Sequence, residues 1–148
     1  MSNMPTSKSI DWLKQLRKLE RYCNKKGYAV LYKSVELDSI YYQDNKIVIG
    51  VNHTDEVALY CLLHEIGHAI LFGKKTTYQR EFDQVYSKFS RQSKTYKLTA
   101  IQEELDAWKE GLKLANRLKI KIDRRKYEIY KTKCVLTYLS WTEGKKQR

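Results

Sequence analysis

Apolar residues along this chain recur mostly at helical spacing, and in one stretch they alternate or cluster as strands do. Ile10, Leu13, Leu16, Leu19 and either Tyr22 or Cys23 fall on one face of a helix predicted over residues 9–26. Ser9 stands where a cap is needed, and Gly27 stands where a helix ends in a left-handed residue. YAVLYK (28–33), a short run at 39–43 and IVIGV (47–51) read as strands, with Asp44-Asn45 as a tight turn before the last. They predict a small, mostly antiparallel sheet of two or three strands containing a hairpin.

The next element is a helix from Thr54 to Phe72. Thr54 is its N-cap, and Asp55 and Glu56 occupy the first turn, where the helix dipole favours acids. Val57, Cys61, Leu62, Ile66, Ala69 and Ile70 give it a wide apolar face, and Gly73 ends it. Residues 74–98 are polar. A short helix near Gln79–Phe89 is predicted there, with loop or lid structure around it. A further helix is predicted from Thr99, with Gln102 as capping-box partner, to Leu118, striped by Leu105, Trp108, Leu112, Ala115 and Leu118. A last helix runs from Asp123 to Trp141, with Ile129, Leu136 and Leu139 on its buried side, and the GKKQR tail frays. The fold class is therefore α+β: one domain over 1–148, a small sheet packed on the 54–72 helix, and three or four further helices.

Composition narrows the picture. At 42% hydrophobic and 12% aromatic residues the chain has enough apolar matter for a core, and its one Pro and 6 Gly argue against a many-stranded sandwich. Cys23, Cys61 and Cys134 are odd in number and far apart, which argues against a disulfide framework and against a thiolate zinc site. A reducing, cytoplasmic setting is expected. The N-terminal residues show no secretory signal pattern, and no run of 18 apolar residues suggests a membrane span.

With 29 Lys+Arg against 17 Asp+Glu, the net charge is +12. The basic residues gather at 73–97 and 119–133, interleaved with tyrosines. Nucleic acid is a possible but not primary partner on this ground, since charge alone carries little specificity and no nucleic-acid module accompanies it.

Chemistry concentrates in His64-Glu65-Ile66-Gly67-His68, an HExxH motif inside the predicted central helix. Residues i and i+4 lie one above the other on a helix, so two imidazoles at this spacing can grip one zinc ion. Glu65, next to the first histidine, can act as general base toward water at the metal. Zinc then needs a third protein ligand. His53 reads as an ordinary loop residue. The acids of IQEELDAW are a better source. Glu104 is the first choice, because the small Ala107 follows it one turn on and leaves room beside the metal helix. Glu103 is the runner-up. Asp106 could ligate, although its shorter reach suits a hydrogen bond to a ligating histidine. Tyr127, Tyr130, Tyr138 or a basic residue of 74–97 could stabilise an oxyanion, and the choice among them stays open.

IVIGVNHTDEVALYCLLHEIGHAIL and EELDAWKEGLKLA resemble the strand, metal helix and downstream acidic helix of the ImmA/IrrE-like zinc metallopeptidases, a gluzincin-like family. The similarity covers roughly residues 46–118. It implies a minimal zincin-like domain with His64, His68 and Glu104 as zinc ligands and Glu65 as general base. It also implies a peptide or protein substrate, and a regulatory protein of a phage or mobile element is one, since some members cleave a repressor. The competing expectation is a non-catalytic basic binding protein whose metal site is structural or degenerate, contacting nucleic acid or an acidic partner.

Overall fold

A computed structural model describes residues 10–74 and 77–142, without side chains for 77–80, 141 and 142. Five helices and a three-stranded sheet follow in the order α1 (Trp12–Lys25), β1 (Ala29–Lys33), β2 (Ser39–Tyr41), β3 (Lys46–Gly50), α2 (Asp55–Gly73), α3 (Thr77–Lys88), α4 (Lys94–Leu118) and α5 (Arg124–Thr142). The expected cap Ser9 and the tail 144–148 lie outside the described residues. Asp11 caps α1, its carboxylate accepting from the Lys14 N–H at 3.1 Å.

The sheet is mixed rather than mostly antiparallel. Its order is β1-β3-β2, with β1 parallel to β3 over five residue pairs and β2 antiparallel to β3 over three. The predicted hairpin is there, turning through Asn45 at φ +50°. The parallel pair follows from burial. Ile47, Val48 and Ile49 are all buried, so β3 needs cover on both edges and both faces. Ser39 and Tyr41 suit β2 to the edge.

α2 is the hub. It packs against α1, β3 and, most extensively, α4. Thr54 Oγ1 accepts from the Val57 N–H at 3.3 Å, as predicted. Leu59, Leu62, Leu63 and Ile66 are all at most 1% exposed, and each contributes ~1.5–3 kcal/mol through burial. Among the described residues α2 is the one helix long and apolar enough to cross a membrane. Its neighbours cover it, as expected of a core helix that is apolar all round.

Three helical expectations change. α4 begins at Lys94, not Thr99: Ser93 caps it by accepting from the Tyr96 N–H at 3.2 Å, and Tyr96 packs edge-on to Tyr86 of α3 at 4.8 Å. Gln102 donates to Asp106 instead of closing a capping box. On α5 the leucine face points outward. Ile129, Leu136 and Leu139 are 42–51% exposed, whereas Tyr127 is buried and Tyr130, Cys134 and Val135 pack against the core. The tyrosines turn inward because their hydroxyls find partners there. Tyr127 donates to the Trp108 carbonyl, and Tyr138 donates to Glu104. Asp123 caps α5 as predicted, its side chain accepting from the Lys126 N–H.

Candidate metal centre

His64 and His68 project from adjacent turns of α2 toward α4, which presents Glu104. His64 Nε2 lies 2.7 Å from Glu104 Oε2, and His68 Nε2 lies 3.1 Å from Glu104 Oε1. The two Nε2 atoms are 3.0 Å apart. These three residues form a group that could hold a metal ion. Ligands at zinc bonding distance from a tetrahedral centre stand roughly 3.3 Å apart, so a small outward shift seats an ion.

Glycine makes this approach possible. A Cβ on Gly67 would stand 2.1 Å from the Ala107 carbonyl oxygen, and one on Gly111 would stand 2.6 Å from the Leu63 carbonyl oxygen. The two helices thus come close backbone to backbone at two points next to the His64–His68–Glu104 group. Ala107 is fully buried, and it is its backbone carbonyl that meets Gly67. Trp108 lies flat on the His64 ring, with centroids 4.3 Å apart and planes within 7°, and this fixes the imidazole's orientation.

Glu65 is 6% exposed, and its Oε1 lies 3.6 Å from His64 Nδ1. Burial pushes its carboxyl above the usual range, against the pull of both histidines. A cation between the histidines would draw it back down. Glu104 behaves oppositely: burial alone would raise it, but hydrogen bonds from His64 and His68 outweigh burial and hold it well below the ordinary carboxylate range. Burial works against a charged His68, yet its pairing with Glu104 prevails and raises it.

These shifts give the metal-free protein a pH signature. His68 and Glu65 both hold protons more tightly folded than unfolded. Their contributions are complete below the unfolded values of 6.5 and 4.5 and are lost as pH rises through the folded ones. The depressed Glu104 has the reverse sign, but its contribution is already in place above 4.5. Metal-free protein should therefore lose thermal stability as pH rises above 4.5 and on past 6.5, whereas zinc, which takes the deprotonated ligands, should bind more tightly over the same range. A melting temperature for the metal-free form that is flat or rising over that interval would contradict this.

Of the other candidates, Glu103 sits nearby but accepts from the Tyr86 hydroxyl at 3.1 Å. Asp106 is bonded to Gln102 and lines a shallow surface pocket with Lys74 and Glu110, and it is not in the ligand group. His53 pairs with Asp38 at 3.2 Å, away from His64 and His68. Among the three tyrosines, Tyr138 alone reaches the cluster, its hydroxyl donating to Glu104 Oε1 at 2.9 Å. Tyr138→Phe should weaken zinc affinity by ~10–100-fold, the usual cost of losing a hydrogen bond to a ligand. Unchanged affinity in a chelator competition would deny Tyr138 this part.

The close approach at Gly67 and Gly111 and the Trp108 stack on His64 have no counterpart among the expectations from sequence. Two glycines in facing helices were the available signal for a close crossing. No protein family, curated protein or solved structure matches this chain.

Proposed function

We propose that the protein is a zinc-dependent metallopeptidase, a minimal zincin-like domain akin to the ImmA/IrrE-like enzymes. The observation that carries this reading is the meeting of His64 Nε2, His68 Nε2 and the Glu104 carboxylate, with the buried Glu65 carboxylate alongside. Two imidazoles and one carboxylate are a catalytic zinc set, and three protein ligands leave one position for water or substrate. Structural zinc is usually closed by a fourth protein ligand, often cysteine. No cysteine belongs to this group.

Zinc bound here would polarise a scissile carbonyl and acidify water. Glu65 would take the proton from attacking water and deliver it to the departing amine. Trp108 and Tyr138 hold His64 and Glu104 in place. The resemblance makes a regulatory protein of a phage or mobile element the substrate to try first.

The test pairs metal analysis with cleavage. Wild type and Glu65→Gln are assayed for zinc and for hydrolysis of such regulatory proteins, with His64→Ala as the metal-loss control. Zinc in both forms and cleavage by wild type alone support the enzyme. Equal cleavage by both forms, or His64→Ala zinc binding at wild-type affinity at this centre, overturns it.

A further inference from the structure

A second group of ligand atoms lies one turn back along α2. Asp38, from the connection between β1 and β2, His53, from the β3–α2 loop, and Cys61, from α2 itself, bring their ligand atoms within 4.8 Å of one another. His53 Nε2 is 3.2 Å from Asp38 Oδ1 and 3.3 Å from Oδ2, and Cys61 Sγ is 3.8 Å from the same nitrogen. A tetrahedral zinc ion with ordinary bond lengths sets nitrogen–oxygen edges of ~3.4 Å and sulfur–nitrogen edges of ~3.6 Å. The His53 nitrogen already stands close to those separations from both partners, and Asp38 and Cys61 bring ligand atoms within 4.8 Å of each other. None of them belongs to the His64–His68–Glu104 group.

We propose that Asp38, His53 and Cys61 form a second metal site. It takes zinc or a similar borderline-soft divalent cation through one carboxylate oxygen, one imidazole nitrogen and one thiolate. The mixture of sulfur, nitrogen and oxygen donors selects against magnesium and calcium, which prefer oxygen alone. Binding releases the Cys61 thiol proton to solvent and places the thiolate on the ion. The outer partners suit this. The Gly50 N–H donates to Asp38 Oδ1 at 2.8 Å, orienting the carboxylate while Oδ2 stays free of it. The Tyr130 hydroxyl, 3.6 Å from Cys61 Sγ, accepts from the thiol and can turn to donate to a thiolate. Side-chain exposures of 26% for His53 and 18% for Asp38 give an ion a way in and leave solvent for the fourth position.

The consequence is a staple. An ion here ties the β1–β2 connection and the β3–α2 loop to α2, three residues before His64, roughly 4.5 Å along the helix axis. Three cysteines without paired spacing argue against a thiolate site in sequence, and the fold supplies what spacing lacks by gathering three separate segments.

The site does not depend on the peptidase reading, and one experiment separates them. Metal-free full-length protein is titrated with cobalt and with zinc, reading stoichiometry and the near-ultraviolet thiolate-to-cobalt charge-transfer band. Wild type should take two ions and show the band. Cys61→Ser and His53→Ala should each take one ion and lose the band, while His64→Ala should take one and keep it. Retention of the other ion by each variant shows that it has folded, and His53→Ala serves if the buried Cys61 does not tolerate serine. A single ion without the band in wild type, or a band that survives Cys61→Ser, overturns the second site. A single ion with the band in wild type counts only against the metallopeptidase.

Discussion

Glu65→Gln should bind zinc as wild type does and lose at least about a hundredfold, and up to about ten thousandfold, in turnover. The amide matches the carboxylate in shape, so α2 keeps its packing around position 65. It cannot take a proton from water, and the step that needs a base fails. Metal retention is expected because Glu65 is not among the residues whose ligand atoms converge. Removing this buried carboxylate also removes a charge that burial disfavours. The variant should consequently melt no lower than wild type near neutral pH. Activity lost together with metal, or with stability, would place Glu65 in a structural part instead. Zinc retained by both forms with no hydrolysis by either would favour the non-catalytic basic binding protein.

The helix that carries His64 and His68 was legible because HExxH couples residue type to helical period, and the Thr54 cap and apolar run fixed that period. Glu104 was legible more narrowly. The acids of IQEELDAW were the better source of a third ligand, and the small Ala107 favoured one of them. The parallel pairing of β1 with β3 was not legible, since strand order depends on which strand needs two neighbours. β3 needs them because Ile47, Val48 and Ile49 are all buried. The orientation of α5 misled for a related reason. Leu136 and Leu139 carry more apolar surface than tyrosine hydroxyls suggest, yet Tyr127 and Tyr138 go inward to polar partners that other helices supply. The α4 start was obscured because residues 94–98 lack an apolar stripe, while Ser93 caps the helix and Tyr96 meets Tyr86. In each case local pattern identified the element and a distant partner decided its placement.

Gly67→Ala should destabilise the protein by about 2 kcal/mol or more, although alanine is the better helix former. The intrinsic gain is ~1 kcal/mol. Against it stands a methyl group placed 2.1 Å from a backbone carbonyl oxygen of α4. That neighbour is no flexible side-chain end, so α2 and α4 must part, and overpacking of this kind costs ~1–3 kcal/mol or more. The overlap is severe enough for the upper end to prevail. For a domain of this size the melting temperature should fall by roughly 5–10 °C. The same parting draws Glu104 away from His64 and His68, so zinc affinity should fall with stability. Gly73→Ala is the internal control. It too lies in α2, but a Cβ there meets nothing within 4 Å, so the helix-former gain stands alone and the change should be neutral or slightly stabilising. Opposite signs for the two alanines would tie the ligand geometry to the backbone contact between α2 and α4. If Gly67→Ala melted and bound zinc like wild type, the close crossing would not be what holds Glu104 to the histidines.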